Sequence, residues 1–400
     1  MSKGVAITGM GIISAIGNNV EENYNSLIQK NDGISQIKKI DTVHASHIKV
    51  GEINYSDNEL ISLLKIPENN NYSRTALLAE MACKEAVKNA NITNINECRT
   101  GIISATSVGG MDKTEQYYES ILTNAAQQKY IEAHNAGDAT KKLARSLGIK
   151  DFVTTISTAC SSSANAIMLG ARLIKAGKLD RVIVGGADCL SKFTINGFNT
   201  LMILSEENCK PFDASRNGLN LGEAAAYLVL ESEAIVEKSK KKVLAYVTGY
   251  ANANDAFHQT ASSEEGIGAT LAMEKALSVA SLMPKDIDYI NAHGTATPNN
   301  DMSESRALIN VFKEEIPSFS STKAYTGHTL AAAAAIEAVY SVLAIQNNVV
   351  FPNLNFKEAI PTTNLIPVVE VIQKQLHHVL SNSFGFGGNC STIIFSKTAL

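Results

Sequence analysis

The chain has 400 residues, 45% of them hydrophobic and 18% charged, against about a quarter charged in ordinary soluble proteins. This excludes a disordered or highly solvated chain and predicts a large core, with further surface hidden at a subunit interface. A net charge of −4 excludes a global nucleic-acid or membrane-surface field.

The length suggests two or three domains, or one large two-part fold. A strand pattern at residues 5–7 opens the chain, without the apolar core and cleavage site of a secretory leader, and cysteines without paired spacing lead to the expectation of a cytoplasmic protein. Helical patterns follow at 20–29 and 72–89, then strands at 101–105 and 151–156. An Ala-rich helix at 163–176 ends at Gly177, a suitable C-cap, and buried strands follow at 181–185 and 225–230. The basic run 238–242 reads as a solvated connector rather than a nucleic-acid patch. It divides the chain into halves at 1–240 and 241–400.

Strand and helix alternation restarts beyond it. Strands are predicted at 243–250, 287–291, 318–321, 379–382 and 391–396, with helices at 266–280, 301–312 and 329–346. The fold class is α/β. Each half carries a strand, a sharp turn and a small-residue helix, the turns being 157–160 and 323–328, which suggests internal duplication. The most apolar helix, from Leu330 to Ile345, carries Glu337 in its middle, and no apolar run is expected to reach membrane-spanning length.

Six cysteines, Cys83, Cys98, Cys160, Cys189, Cys209 and Cys390, show no paired spacing and predict reduced thiols. Cys160 stands apart, after an apolar strand and just before a helix. There the helix dipole and free N–H groups favour a thiolate, so its pKa is expected below the free value of about 8.5. A lone cysteine is more often a small buried hydrophobe. His293, directly after the strand at 287–291, and His328, at the start of an Ala-rich helix, lie where open α/β folds place their sites. The turn 382–389, with Gly385, Phe386, Gly387 and Gly388, can bring backbone N–H groups to a developing oxyanion, or is a plain glycine turn. Gly9-Met10-Gly11 nearly spells a dinucleotide fingerprint, but Ser14 replaces its third glycine and no acidic residue sits well placed at a strand end about twenty positions later.

These segments together resemble the β-ketoacyl-acyl carrier protein synthases, the elongating group of the thiolase-like condensing enzymes. The resemblance is carried by Thr158-Ala159-Cys160-Ser161-Ser162 and by His293-Gly294-Thr295 with Thr297, Asp301 and Glu304. Lys323 with Gly327-His328, Gly385-Phe386-Gly387-Gly388 and Lys210-Pro211-Phe212-Asp213 add to it. It implies a thiolase-like fold of two pseudo-symmetric halves in five α-β-α-β-α layers. It also implies decarboxylative condensation of malonyl carrier protein with an acyl group on Cys160, giving a 3-oxoacyl product and CO₂. His293 and His328 then hold the malonyl thioester carbonyl, Lys323 orients them with Glu337, and Phe386 gates the two half-reactions. Thr295, Thr297, Phe198, Val108 and Glu337 form the expected substrate-binding set.

No resident cofactor or metal is expected, since phosphopantetheine arrives on the acyl carrier protein. Expected partners are that carrier, docked through Lys65, Arg74 and Lys210, and a second subunit forming a homodimer or a heterodimer with a chain-length-factor-like chain. Nucleic acid and membrane insertion are not expected. Ala331 and Ala334 replace glycines usual in the family, and Leu201 and Met202 depart from the primary fatty-acid enzymes. Asn220-Leu221-Gly222-Glu223 looks like the aryl-polyene ketosynthases. The alternatives are a non-catalytic partner subunit, which lacks the nucleophile, and a degradative thiolase, which has a second cysteine where this chain has Phe386.

Overall fold

The computed structural model describes residues 4–120 and 122–400. The main sheet has ten strands: β1 (Val5–Ser14), β2 (Thr100–Ala105), β3 (Phe152–Ile156), β4 (Arg181–Asp188), β5 (Ala224–Glu231), β6 (Ala245–Asn254), β7 (Tyr289–Asn291), β8 (Ser318–Ser320), β9 (His378–Gly385) and β10 (Asn389–Ser396). The helices that matter here are α1 (Arg74–Asn89), α2 (Asp138–Leu147), α3 (Ser162–Lys175), α4 (Lys192–Thr200), α5 (Ile267–Ala280), α6 (Pro298–Phe312) and α7 (Ala333–Asn347).

The order across the sheet is β3-β2-β4-β5-β1 followed by β6-β10-β9-β7-β8, so the second half mirrors the first. Polarity repeats as well. The pairs β2–β3 and β2–β4 are parallel, and so are β7–β8 and β7–β9. The remaining pairs in each half are antiparallel. Among the described residues the two half-sheets pair through Val5–Val247, Ala6–Tyr246 and Ile7–Ala245. Helices α1, α2 and α3 fall between the same strands of the first half as α5, α6 and α7 do in the second, so the layout is duplicated.

Helices α3 and α7 pack on each other and touch strands of both halves, while α1 and α5 cover the outer faces. This gives five layers with two helices in the middle. A helix with sheets on both sides must be apolar all round and thin. Helix α7 meets both demands: every residue from Ala333 to Ile345 is buried, and alanine lets the sheets approach. The helical stretch Leu330–Asn347 reaches 18 residues and is apolar enough to cross a membrane, contrary to the expectation from sequence. It is 89% buried in the protein core.

Gly9 and Gly11 lie inside β1 rather than in a nucleotide-binding turn. A Cβ on Gly9 falls 2.4 Å from the Ala86 carbonyl oxygen and one on Gly11 falls 2.1 Å from that of Ala82. The glycines therefore let α1 lie against the sheet. Between the halves, the short helix Glu233–Ser239 ends at Lys240 in the left-handed region, and β6 begins at Ala245. Within the basic run, Lys241 Nζ sits 3.0 Å from the buried Glu231, so it is an internal ion pair and not a solvated charge.

Candidate active site

Cys160, the expected nucleophile, stands on a strained elbow between β3 and α3. Ala159 has φ 53°, a left-handed state that costs a non-glycine residue about 1–2 kcal/mol. Hydrogen bonds hold it: Ser161 Oγ donates to the Thr158 carbonyl at 2.8 Å, Ser162 Oγ to that of Ala159 at 2.5 Å, and the Thr158 N–H to Ser162 Oγ at 2.8 Å. The glycine turn between β9 and β10 closes on this elbow. A Cβ on Gly385 falls 3.0 Å from the Thr158 oxygen and 3.2 Å from the Cys160 nitrogen, so a side chain there would push the two loops apart. The close approach aims the backbone N–H groups of Phe386 and Cys160 at the Cys160 sulfur.

Cys160 is fully buried, and burial pushes its thiol up to about 12. The Lys323 ammonium and the N–H of Phe386 act in the other direction without cancelling the loss of water. This reverses the expected lowered pKa: the helix start and dipole are present, but desolvation of a thiolate outweighs them. The resting group is a thiol, 2.9 Å from His328 Nε2. Alkylation of Cys160 by iodoacetamide, read by peptide mass mapping, is expected to rise about tenfold per pH unit from pH 7 to 9 with no plateau. A plateau near neutrality marks a low-pKa thiolate and contradicts this environment.

Both histidines are set by their backbones. The His293 and Gly294 N–H groups donate to Glu304 at 2.9 and 2.8 Å, and the His293 carbonyl accepts from Lys323 Nζ at 2.5 Å. The His328 N–H donates to the Asn220 carbonyl at 2.7 Å and the Gly222 N–H to the His328 carbonyl at 3.0 Å, which clamps His328 like an extra strand. Gly222 is obligatory, because a Cβ there falls 2.0 Å from the Thr326 carbonyl oxygen. The two rings lie 5.5 Å apart at 87°. Burial, with the nearby Lys323 ammonium, holds both well below the usual histidine range, so both are neutral.

Lys323 lines neither of the two cavities that contain Cys160. Its ammonium bridges the His293 carbonyl and Glu337 Oε1, 2.5 Å away, with side-chain exposures of 3% and 1%. Glu337 therefore leaves the expected substrate-binding set: it is the buried counter-ion of Lys323 and faces no cavity. Asp301, by accepting from the Phe212 N–H at 2.7 Å and the Ala296 N–H at 3.1 Å, ties the 210–213 segment to the His293 loop.

Two cavities meet at Cys160. One, of about 300 Å³, is lined by His293, His328, Thr295 and Thr297, whose hydroxyls lie 2.9 Å apart. The other, of about 460 Å³, is lined by Val108, Phe193, Leu201 and Leu330. Phe198 and Phe386 border both and stack at 5.9 Å and 22°. A second thiol, Cys390, borders the first cavity. Among the described residues no His, Cys, Asp and Glu cluster could hold a metal ion.

Of the three expected docking cations, Lys65 is exposed and Lys210 is paired with Glu207. Arg74 is largely covered: its guanidinium pairs with Glu223 at 2.6 Å and Asp57 at 2.9 Å, which leaves little of its charge for docking. Sequence reasoning passed over Phe193, Leu330 and Asp188. The last carried a legible signal, a lone acid at the carboxyl end of the buried run Val182–Ala187, where α/β sites form.

The chain matches two sequence families, "Beta-ketoacyl synthase, N-terminal domain" over residues 2–234 and "Beta-ketoacyl synthase, C-terminal domain" over residues 244–357. It is 32% identical over 412 aligned residues, 99% of each chain, to 3-oxoacyl-[acyl-carrier-protein] synthase 2 of Staphylococcus aureus (strain COL). Among solved structures, the ishigamide ketosynthase/chain length factor superposes with a TM-score of 0.92 at 28% identity over the full length of both chains. The ketosynthase ApeO in complex with its chain length factor ApeC from Xenorhabdus doucetiae gives a TM-score of 0.86 at 30% identity, covering 99% of this chain and 98% of that one. A cysteine facing two neutral histidines where two cavities meet, on a duplicated five-layer scaffold, agrees with these matches: the chain belongs to the β-ketoacyl synthase family of condensing enzymes.

Proposed function

We propose that this chain joins an acyl group held on Cys160 to malonyl carrier protein, releasing CO₂ and a 3-oxoacyl carrier protein. The observation that carries the reading is the 2.9 Å contact between Cys160 Sγ and His328 Nε2 at the junction of the two cavities. A thiol with a pKa of about 12 needs a base in contact, and neutral His328 is one.

In the first half-reaction the sulfur attacks the acyl thioester carbonyl as its proton passes to His328 Nε2. The N–H groups of Phe386 and Cys160 receive the oxyanion. Collapse expels the carrier's thiolate, which takes the proton back from His328. The acylated sulfur now has no proton to give, and transfer of the ring proton of His328 from Nδ1 to Nε2 by way of water lets it present Nε2–H instead. In the second half-reaction His293 and His328 donate to the malonyl thioester carbonyl. The carboxylate C–C bond breaks, CO₂ leaves, and the electron pair becomes an enolate. Its carbon attacks the acyl carbonyl, the C–S bond to Cys160 breaks, and one proton from water restores the thiol. Neutral rings suit this role, because they donate without being expensive cations in a dry cavity.

Thr295 and Thr297 hold the phosphopantetheine arm, which the carrier brings, so no resident cofactor is needed. Val108 and Phe198 wall the acyl chain, and the Phe198–Phe386 stack separates the two chambers. A cytoplasmic setting fits six cysteines that are all free. The likeness to ketosynthase and chain-length-factor structures supports a second subunit, as homodimer or heterodimer. Strand β3, at the sheet edge and paired only with β2, leaves room for it. The 220–223 segment carries the aryl-polyene reading, and the likeness to ApeO bears on a chain-length-factor partner. A non-catalytic partner role fits less well, because the nucleophile and its base are in contact.

The test is incubation with malonyl carrier protein and a panel of saturated and polyunsaturated acyl carrier proteins, with mass spectrometry of Cys160 and of the products. An acyl mass on Cys160 and 3-oxoacyl products two carbons longer are expected. No adduct from any carrier defeats the condensing reading, and use of saturated medium chains alone defeats the polyene assignment.

A further inference from the structure

We propose that Asp188 is a positioning residue that locks the wall of the acyl cavity to the backbone just after His328, so that chain selection and condensation share one support. The inference rests on the condensing reading above. Asp188 ends β4 and is fully buried. Its carboxylate collects donors from both halves of the molecule. From the first half come Thr106 Oγ1 at 2.5 Å, the Ser107 N–H at 3.0 Å and the Val108 N–H at 3.4 Å. From the second half comes the Ala331 N–H at 2.9 Å. Thr106 Oγ1 in turn accepts the Gly109 N–H at 3.0 Å, so the turn at 106–109 is wound on this carboxylate.

Each end of this bridge reaches the chemistry. Ser107 and Val108 line the acyl cavity, and so does Leu330, two residues after His328. Leu330 has φ 53°, a left-handed state that persists in a leucine only when neighbours hold it. The helical turn Leu330–Ala332 has no side-chain cap of its own. Its free N–H at Ala331 is met from across the molecule by Asp188, and a carboxylate at a helix start is favourable. Asp188 borders neither cavity, so it does not touch substrate.

Nucleophile activation does not account for the acid. The Asp188 charge opposes a thiolate at Cys160. Burial also makes the charge costly, raising the Asp188 carboxyl to about 6. An acid that works against the nucleophile, yet holds four donors from two halves, points to geometry. Asparagine has the same shape but turns an NH₂ toward some of those donors, so at least one strut is lost.

The test compares wild type, Asp188→Asn and Thr106→Val for acylation of Cys160 across saturated chain lengths, condensation kcat, KM for malonyl carrier protein, and thermal unfolding. Asp188→Asn is expected to lose roughly tenfold in kcat, keep its malonyl KM within about twofold, and broaden the range of chains accepted. Thr106→Val, which removes only a first-half strut, is expected to broaden the range with kcat nearly intact. Wild-type kcat and chain range in folded Asp188→Asn overturn the inference, as does a lowered Tm whose folded fraction works normally. If Asp188→Asn does not fold, Thr106→Val decides: a broadened range supports the inference and an unchanged one overturns it. A wild type that never acquires an adduct removes the condensing reading and this inference with it, whereas failure of the variants alone leaves that reading standing.

Discussion

Cys160→Ala is expected to form no acyl adduct with any acyl carrier protein and to lose condensation entirely, while still releasing CO₂ from malonyl carrier protein. The split follows from the division of labour in the site. Acyl transfer needs a sulfur in contact with His328, whereas decarboxylation needs only N–H donors at the malonyl thioester carbonyl, and His293 and His328 remain. Loss of the sulfur also frees His328 Nε2 from its thiol partner, so CO₂ release should be at least as fast as in wild type. The backbone clamps on His328, from Asn220 and Gly222, do not involve Cys160, so the histidine pair should keep its place. Mass spectrometry for the adduct and a CO₂ release assay check both halves. An adduct on the variant moves the nucleophile elsewhere, with Cys390, the other thiol bordering the same cavity, as the first alternative.

Lys323→Met is expected to cost about 3–5 kcal/mol of stability and to slow both half-reactions by roughly 100-fold. The stability loss comes from Glu337, left as a buried carboxylate whose nearest remaining donor is the Ser383 hydroxyl at 3.4 Å. Burial already raises the Glu337 carboxyl above the usual range, and removing the ammonium raises it further. Glu337→Gln in the Lys323→Met background should therefore recover part of the stability, because an amide is cheaper to bury than a charge. It should not recover activity. The His293 carbonyl still lacks its donor, so the loop carrying the ring is free to shift. Electrostatics push the same way for the nucleophile: the ammonium lowers the Cys160 thiol, so its loss makes the thiolate harder to form. It also depresses both histidines, so its loss moves them back toward 6.5. Urea unfolding and separate acylation and decarboxylation rates distinguish these effects. Activity returning in the double variant shows that the charge, and not the contact to the His293 carbonyl, matters.

Much of the scaffold was legible because its signals are local. The apolar runs at 100–105, 152–156 and 181–188, and the Ala-rich patterns at 162–175 and 333–347, fall within a few residues of their predicted bounds. Helices Asp57–Leu64, Met111–Tyr117, α2 and α4 went unpredicted, being short or bounded by mixed polar stretches. Of these, α4 mattered most, since Phe193, Phe198 and Leu201 wall the acyl cavity. The candidate site residues Cys160, His293 and His328, which the structure brings together, were legible because chemistry restricts which residue types suit such work, and because each sits at a strand end or helix start. Asp188 and Glu337 show in the sequence only as lone acids, one at a strand end and one inside an apolar helix; what each does is set by its partner in space, the Ala331 N–H for Asp188 and the Lys323 ammonium for Glu337.

Length and composition implied a large core, and motif order implied two halves sharing one site. Both follow from chain-local information: hydrophobic periodicity, glycine placement and residue chemistry. The tertiary structure alone decided three things. It turned an expected thiolate into a thiol at about 12, because desolvation depends on everything packed around the sulfur. It took Glu337 out of the substrate-binding set and kept only its expected pairing with Lys323, and it tied Arg74, expected as a docking cation, to Glu223, because a charge's role is set by the nearest opposite charge in space. It also showed why 18% charge suffices: α3 and α7 are covered by sheets on both sides, and a chain with two helices in its interior has less surface to solvate.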